Sequence, residues 1–288
     1  MLSHFLCIGA QKAGTTWLHH NLSLQPGIWL PPVKEIHFFD HAAPSLLKRV
    51  SSRTSHLSLA RRHANEALIG FVRGKLALDA TRRAVRLGYG ARNWSWHESI
   101  FPNDPMSICG EVCPGYARLP EDVIRRIVKH NPAIRVIYLL RDPVDRAWSS
   151  MAMHFRKARG SDVHQVKADE IIAFLTRRKS FAHCEYAENI ERWHRHIPAQ
   201  RLYFGFFERI AEEPGTYLNE VLQFLGYTQA PNLVGSMEPV NAGRGERMDP
   251  AIEHRIARAL VPQAMAMHRM FSNSYTARWL EHACAAGA

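Results

Sequence analysis

The chain alternates short, continuous apolar runs with longer segments whose apolar residues recur every three or four positions. The runs predict buried strands, because a strand covered on both faces shows no polar alternation. The longer segments predict amphipathic helices. Strands are predicted at residues 5–8, 28–30, 108–112, 136–140 and 202–206, and a long terminal helix from Pro250. This alternation indicates an α/β fold over residues 1–288, a single domain with a central, mainly parallel sheet flanked by helices.

A glycine-containing turn joins the first predicted strand to the first predicted helix. It has the sequence Gly9-Ala10-Gln11-Lys12-Ala13-Gly14-Thr15-Thr16. The two glycines have the spacing of a P-loop, which makes the fold P-loop-NTPase-like, but Lys12 lies inside the loop and the usual Gly-Lys-Ser/Thr ending is missing. Since helix N-termini bind anions, the turn predicts a phosphate cradle. Taken alone, it also fits an ordinary strand–helix turn with a chance lysine.

A second polar segment follows the second predicted strand. It has the sequence Lys34-Glu35-Ile36-His37-Phe38-Phe39-Asp40. Ligands of open α/β sheets bind beyond the carboxyl ends of the strands, so we expect Glu35, His37 and Asp40 to lie near the cradle. In isolation the segment would fit a surface loop with an aromatic anchor equally well.

The strand predicted at 136–140 ends in Arg141. A metal-dependent P-loop kinase would place a magnesium-binding Asp there, whereas an arginine binds phosphate directly. Ser149 lies two turns into the following predicted helix and could face the same anion. This pattern predicts a second phosphate site and no metal.

Composition and charge restrict the class of protein. The 288 residues are 46% hydrophobic and can bury a full core, and the net charge of +11 predicts an anionic partner. Nucleic acid is the general alternative for a basic protein, but no recognised nucleic-acid module is present.

Five scattered cysteines predict reduced thiols. No apolar run approaches the roughly 18 residues of a membrane span, and the first strand begins almost at once, so we expect no signal peptide and a cytoplasmic protein.

Two further basic segments each allow two interpretations. Residues 41–105 predict a variable, helical, basic insertion, which is either a set of solvated helices or a basic cap over an acidic acceptor. Arg244 and Arg247 lie in a glycine-containing loop, which is either a lid that closes on an anion or a solvated loop.

These motifs together resemble those of PAPS-dependent sulfotransferases, which use 3′-phosphoadenosine 5′-phosphosulfate as donor. The turn at 9–16 resembles the family's 5′-phosphosulfate loop, and residues 140–149 resemble its 3′-phosphate motif. Residues 34–40 are similar to a segment of the heparan-type, glucosaminyl branch. Weaker similarity extends over nearly the whole chain except residues 41–105.

The resemblance implies roles for particular residues. Lys12 would stabilise the leaving phosphate, and Glu35 would be the general base, with His37 beside it as the alternative base. Glu35, His37 and Asp40 would contact the acceptor. Arg141 and Ser149 would bind the 3′-phosphate, Arg244 and Arg247 would close over the nucleotide, and Trp17 would stack on adenine. The 5′-phosphosulfate would be held by Gln11, Lys12, Ala13, Gly14, Thr15 and Thr16.

The sequence therefore predicts in-line transfer of a sulfuryl group from PAPS to a hydroxyl, or less readily an amine, of a carbohydrate or glycosylated small molecule. A metal-dependent P-loop kinase and a non-catalytic, basic nucleotide- or nucleic-acid-binding protein are the alternatives. The acceptor's identity and the oligomeric state stay open.

Overall fold

Five parallel strands form the sheet in the computed structural model, which describes residues 3–41, 53–160, 166, 168–175, 181–233 and 248–287. Their order across the sheet is β2-β3-β1-β4-β5, and every neighbouring pair is parallel. All five strands predicted from apolar runs are present. Their bounds are β1 Phe5–Gly9, β2 Ile28–Trp29, β3 Ile108–Val112, β4 Arg135–Leu140 and β5 Leu202–Phe206.

Helices connect the strands and cover both faces of the sheet, as an all-parallel sheet requires. In the first half of the described chain they are α1 Thr15–Ser23, α2 Phe38–His41, α3 Arg53–Val72, α4 Leu78–Tyr89, α5 Trp94–Ser99 and α6 Glu121–His130. In the second half they are α7 Pro143–Arg159, α8 Ala168–Leu175, α9 Tyr186–His194, α10 Arg209–Glu212, α11 Pro214–Leu225, α12 Pro250–Phe271 and α13 Ser274–Gly287. Short 3₁₀ turns lie at Pro114–Arg118 and Ala199–Arg201.

Two groups of buried side chains form the core. The larger group surrounds the sheet, and its strand residues in β1 and β4 are almost fully buried. The smaller group fills the space between α7, α8, α12 and α13. Among the described residues, no helix is both long enough and apolar enough to cross a membrane.

The prediction of one long terminal helix from Pro250 is wrong. The segment is a pair of helices, because Ser272 adopts a left-handed backbone conformation with φ of 49° and ends α12. The Asn273 side chain then accepts a hydrogen bond from the backbone N–H of Thr276 and starts α13. Such side-chain caps begin helices by satisfying an N–H group that has no partner within the helix.

Candidate active site

The turn between β1 and α1 has the form of an anion cradle. Gly14 is the N-cap of α1 with φ of 83°, and no side chain in the described part of the chain caps the helix at this residue. A Cβ at Gly14 would collide with the end of the Ile210 side chain and crowd Phe207, and the positive φ would strain any residue with a side chain, so the position favours glycine. Lys12, inside the turn, also has a positive φ of 71°. Uncapped N–H groups at a helix N-terminus favour a bound anion.

Lys34 joins the cradle to the polar segment that follows β2. Its ammonium donates hydrogen bonds to Thr16 Oγ1 at 2.8 Å and Thr15 Oγ1 at 3.2 Å. The same Nζ lies 3.8 Å from Glu35 Oε1. This one side chain therefore places Glu35 beside the cradle, as the strand-end argument predicts. No role was predicted for Lys34 from the sequence, although its position next to Glu35 was a signal.

Glu35, His37 and Asp40 form a chain of polar contacts. Glu35 Oε2 lies 3.5 Å from His37 Nε2, and His37 Nδ1 lies 2.6 Å from Asp40 Oδ2. Cys113 Sγ lies 3.4 Å from the same Nδ1. Burial acts to lower the pKa of His37, but its hydrogen bonds, above all the one with Asp40, raise it above the ordinary value. His37 is therefore an imidazolium that holds two carboxylates in place.

The backbone at this site is in an uncommon conformation. Among the described residues, four that are not glycine have a positive φ, and Lys12, Glu35 and His37 are three of them. A residue with a side chain adopts this region at an energetic cost, and such residues concentrate at functional sites. The observation supports a functional role for the three positions that the sequence analysis nominated as catalytic.

The polar segment rests on aromatic and buried polar groups from α5 and β3. Phe38 stacks on His97 with ring centroids 4.6 Å apart, and its N–H donates to Tyr116 Oη at 3.0 Å. Glu111 accepts hydrogen bonds from Tyr116 Oη at 3.1 Å and from His97 Nε2 at 2.9 Å. All three polar groups are fully buried. Part of the predicted insertion, α5, thus supports the site directly.

Arg141 lies at the carboxyl end of β4 and faces the cradle. Its Nη1 donates to the Lys12 carbonyl at 3.2 Å, and its guanidinium lies 4.4 Å from the Phe207 ring centroid. Its Nε is buried and has no hydrogen-bond partner among the described residues. Tyr186 Oη donates to the Arg141 carbonyl at 3.0 Å. Ser149 is half-buried two turns into α7, on the helix that starts beside Arg141.

Cations converge on this edge of the sheet. Burial lowers the pKa of Lys12, and the nearby charges of Arg141, Arg156, Lys157 and Lys34 lower it further. Such a site places several positive charges close together and contains a buried guanidinium N–H to which no described residue hydrogen-bonds, so it fits an anionic ligand with more than one charged group.

Comparison with known proteins agrees with this geometry. The sequence model of the sulfotransferase domain matches residues 2–260. The chain belongs to the sulfotransferase family.

Several relatives of this chain act on heparan sulfate, as their names state. Human heparan sulfate glucosamine 3-O-sulfotransferase 5 is 22% identical over 227 residues, 76% of this chain and 52% of the relative. Human heparan sulfate glucosamine 3-O-sulfotransferase 6 is 27% identical over 143 residues, 47% of this chain and 40% of the relative. The chain thus spans about half the length of the relatives it matches.

Solved sulfotransferase structures share the fold. The sulfotransferase from Alicyclobacillus acidocaldarius has a TM-score of 0.65 at 19% identity and covers 97% of this chain and 99% of its own. The sulfotransferase domain from the curacin biosynthetic pathway has a TM-score of 0.51 at 15% identity, covering 85% and 81%. At such identities the likeness extends to the fold alone.

The carboxylate beside Arg141 caps a helix. Asp142 Oδ1 accepts hydrogen bonds from the N–H groups of Val144 and Asp145 at the start of α7. Its Oδ2 lies 2.7 Å from His282 Nδ1, and His282 Nε2 lies 3.0 Å from Glu253 Oε1. Asp142 is therefore engaged at both oxygens, which disfavours the metal-binding role that a P-loop kinase would give it.

Replacing His282 by Ala is expected to lower the melting temperature at pH 6 by about 2–4 °C. The hydrogen bond with Asp142 raises the pKa of His282 to about 9. The resulting stabilisation is present in full below the unfolded-state pKa of about 6.5 and is lost as pH rises through about 9. Thermal unfolding from pH 6 to 10 checks this prediction.

Two control variants accompany His282→Ala. His282→Asn keeps a donor near the Nδ1 position and should lower the melting temperature less, and the exposed His194→Ala should leave it unchanged. A lowering of the melting temperature that does not change with pH would contradict an ionic origin of the stabilisation.

The remaining predicted site residues divide into three groups. Gln11 is half-buried, and Ala13 is fully buried, so Ala13 can offer a ligand only its backbone. Trp17 is 3% exposed and stacks on Tyr217 in the core, with centroids 5.7 Å apart. This packing does not support a role in adenine stacking. Arg244 and Arg247 lie outside the described residues.

The cysteines are thiols, as predicted. All five are unpaired, and Cys284 alone among them is exposed. His37, Asp40 and Cys113 bring one potential ligand atom each within 4.8 Å of one another. Burial raises the pKa of Cys113 to about 12, whereas a bound metal would itself favour the thiolate. The absence of a metal stays a prediction.

Proposed function

We propose that this sulfotransferase transfers a sulfuryl group from PAPS to a hydroxyl of a carbohydrate or glycosylated small molecule. The observation that carries the proposal is the position of Lys34, whose ammonium contacts both the cradle hydroxyls and the Glu35 carboxylate. A proton acceptor thereby lies beside an anion site that contains Lys12 and faces Arg141. Neither alternative function requires that combination.

In the proposed reaction, the acceptor oxygen attacks sulfur in line with the bridging oxygen of the donor. The new O–S bond forms as the S–O bond to the 5′-phosphate breaks, and adenosine 3′,5′-bisphosphate leaves. Glu35 takes the proton from the acceptor hydroxyl, and Lys12 neutralises the charge that grows on the leaving phosphate. His37 keeps Glu35 and Asp40 oriented, since it contacts both.

The donor site is assigned to two parts of the chain. The cradle, with residues 11–16, would hold the 5′-phosphosulfate, and Arg141 with Ser149 would hold the 3′-phosphate. The buried Nε of Arg141, which has no partner in the part of the chain that the structure describes, supports this assignment, because a phosphate oxygen would supply the missing hydrogen bond.

The proposed class of acceptor rests on the names of the relatives. Those reported above are named for glucosamine 3-O-sulfation of heparan sulfate, and residues 34–40 carry the segment that resembles their branch. A sugar hydroxyl is therefore the first acceptor to test, with an amine second.

Calorimetric titration with adenosine 3′,5′-bisphosphate, ADP and ATP, each with and without magnesium, tests the donor site. We expect the protein to bind adenosine 3′,5′-bisphosphate more tightly than ADP or ATP, and this binding should not require magnesium. Arg141→Ala should weaken its binding about 10- to 100-fold, as loss of charge-assisted hydrogen bonds implies. Arg126→Ala, on the exposed face of α6, is the matched control and should bind like wild type.

Other outcomes separate the alternatives. Preference for ATP with magnesium would replace the proposal by a kinase. Binding of the bisphosphate without sulfation of any sugar tested by mass spectrometry with PAPS would leave a nucleotide-binding protein and refute the acceptor assignment.

A further inference from the structure

The turn between α3 and α4 is an exposed apolar surface. We call residues 68–78 the hairpin tip. Gly74 turns the chain with φ of 67°, and a Cβ placed there would meet none of the described residues within 4 Å. Val72 is 84% exposed and Ile69 52% exposed. The exposed large apolar side chains of the tip are Leu68, Ile69, Phe71, Val72, Leu76 and Leu78.

The hairpin is attached to the protein at the end opposite its tip. Ala60 of α3 and Leu87 of α4 belong to the main core, and Trp96 Nε1 donates to the Arg86 carbonyl at 2.6 Å. Gly88 lets α4 approach the backbone of α3 at Ala60. No apolar residue of the tip belongs to either described core. Since α3 has 20 residues and is about 30 Å long, the tip lies far from the attached end.

The hairpin is strongly basic. Residues 53–89 contain eight Lys and Arg but only two acidic residues. Arg73 and Lys75 lie within the turn itself, among the exposed apolar side chains, and both are exposed. Apolar side chains at a convex end, interspersed with cations, match the chemistry of the interface of an anionic bilayer.

We propose that the hairpin tip docks onto an anionic lipid surface. The apolar side chains enter the boundary between headgroups and acyl chains, while Arg73 and Lys75 contact lipid phosphates. A nucleic acid would use the cations but leave the apolar side chains in water, and protein interface cores are depleted of lysine. This inference is independent of the donor and acceptor proposed above, because it concerns a surface formed by other residues.

Vesicle flotation with the full chain tests the apolar part of the proposal. We expect binding to vesicles of phosphatidylcholine with phosphatidylglycerol and much weaker binding to phosphatidylcholine alone. Ile69→Ser/Val72→Ser should weaken binding by at least about tenfold. Met106→Ser, at a side chain 80% exposed elsewhere on the surface, is the matched control and should bind like wild type. Both variants replace exposed residues, so calorimetry with adenosine 3′,5′-bisphosphate should report the same affinity as wild type.

Separate variants test the contribution of the cations Arg73 and Lys75 to binding. Arg73→Gln/Lys75→Gln should weaken binding to the anionic vesicles about tenfold or more, and added salt should do the same to wild type. Arg125→Gln/Lys129→Gln removes two exposed charges from α6 and should have a much smaller effect. Absence of vesicle binding, or equal binding by the tip variants and wild type, would overturn the proposal. So would a wild-type dimer in light scattering that Ile69→Ser/Val72→Ser converts to a monomer, since the tip would then join two copies of the chain.

Discussion

Replacing Glu35 by Gln is expected to lower kcat for sulfuryl transfer by about 10²- to 10⁴-fold, the usual contribution of a general base. Gln keeps the size of the side chain and can still accept a hydrogen bond from Lys34 or His37, but it cannot accept the acceptor's proton. Affinity for adenosine 3′,5′-bisphosphate should stay at the wild-type value, because Glu35 is not assigned to the donor site. Single-turnover transfer from PAPS, combined with calorimetry, measures the two effects separately.

The choice between Glu35 and His37 as base can be tested in the same experiment. The raised pKa of His37 keeps the imidazole protonated, so it has no free nitrogen to accept a proton. His37→Asn should therefore reduce the rate less than Glu35→Gln, through loss of orientation. Glu66→Gln, at an exposed carboxylate on α3, controls for the change of charge and should be neutral. If His37→Asn were inactive and Glu35→Gln active, the assignment of the base would be reversed.

The sequence predicted the parts of this site that depend on local pattern. Apolar runs predicted all five strands that the structure describes, and the spacing of Gly9 and Gly14 predicted the cradle, because a tight turn requires glycine wherever a Cβ would collide with its neighbours. Arg141 was placed at this edge of the sheet because it directly follows the apolar run that predicts a strand. In a parallel sheet all strand ends of one direction meet at one edge, so the grouping of these segments could be inferred from order along the chain.

The parts that the sequence did not predict depend on contacts between distant segments. Cys113 contacts His37 from 76 residues away, and His282 contacts Asp142 from 140 residues away. No local spacing encodes such pairs. A motif match assigned Trp17 a contact with adenine, and that assignment stays a prediction; in the structure its ring stacks on Tyr217. The break at Ser272 could have been predicted, because Asn273 is one of the residue types that favour the N-cap of a helix.

Replacing Lys12 by Met is expected to lower kcat by about 10²- to 10³-fold, comparable to removal of one donor that stabilises a developing anion. Burial and four neighbouring cations lower the pKa of Lys12, so its ammonium is electrostatically unfavourable until negative charge arrives nearby. The leaving bisphosphate gains negative charge as the S–O bond breaks. Lys12 should therefore stabilise the transition state more than the bound donor, and kcat should fall more than donor affinity.

Two further variants, Lys12→Arg and Lys34→Met, separate the effect of positive charge from the effect of side-chain geometry. Lys12→Arg keeps the charge, but a planar guanidinium replaces a compact ammonium in a turn already crowded by Arg141, so we expect it to bind the bisphosphate and to recover only part of kcat. Lys34→Met removes a cation that contacts Thr15 and Thr16 and also lies beside Glu35, so we expect it to lower both donor affinity and kcat. Presteady-state rates and calorimetry on all three variants measure these differences. If Lys12→Met changed only donor affinity, Lys12 would be a binding residue, and stabilisation of the leaving phosphate would have to come from Lys34 or from the N–H groups of α1.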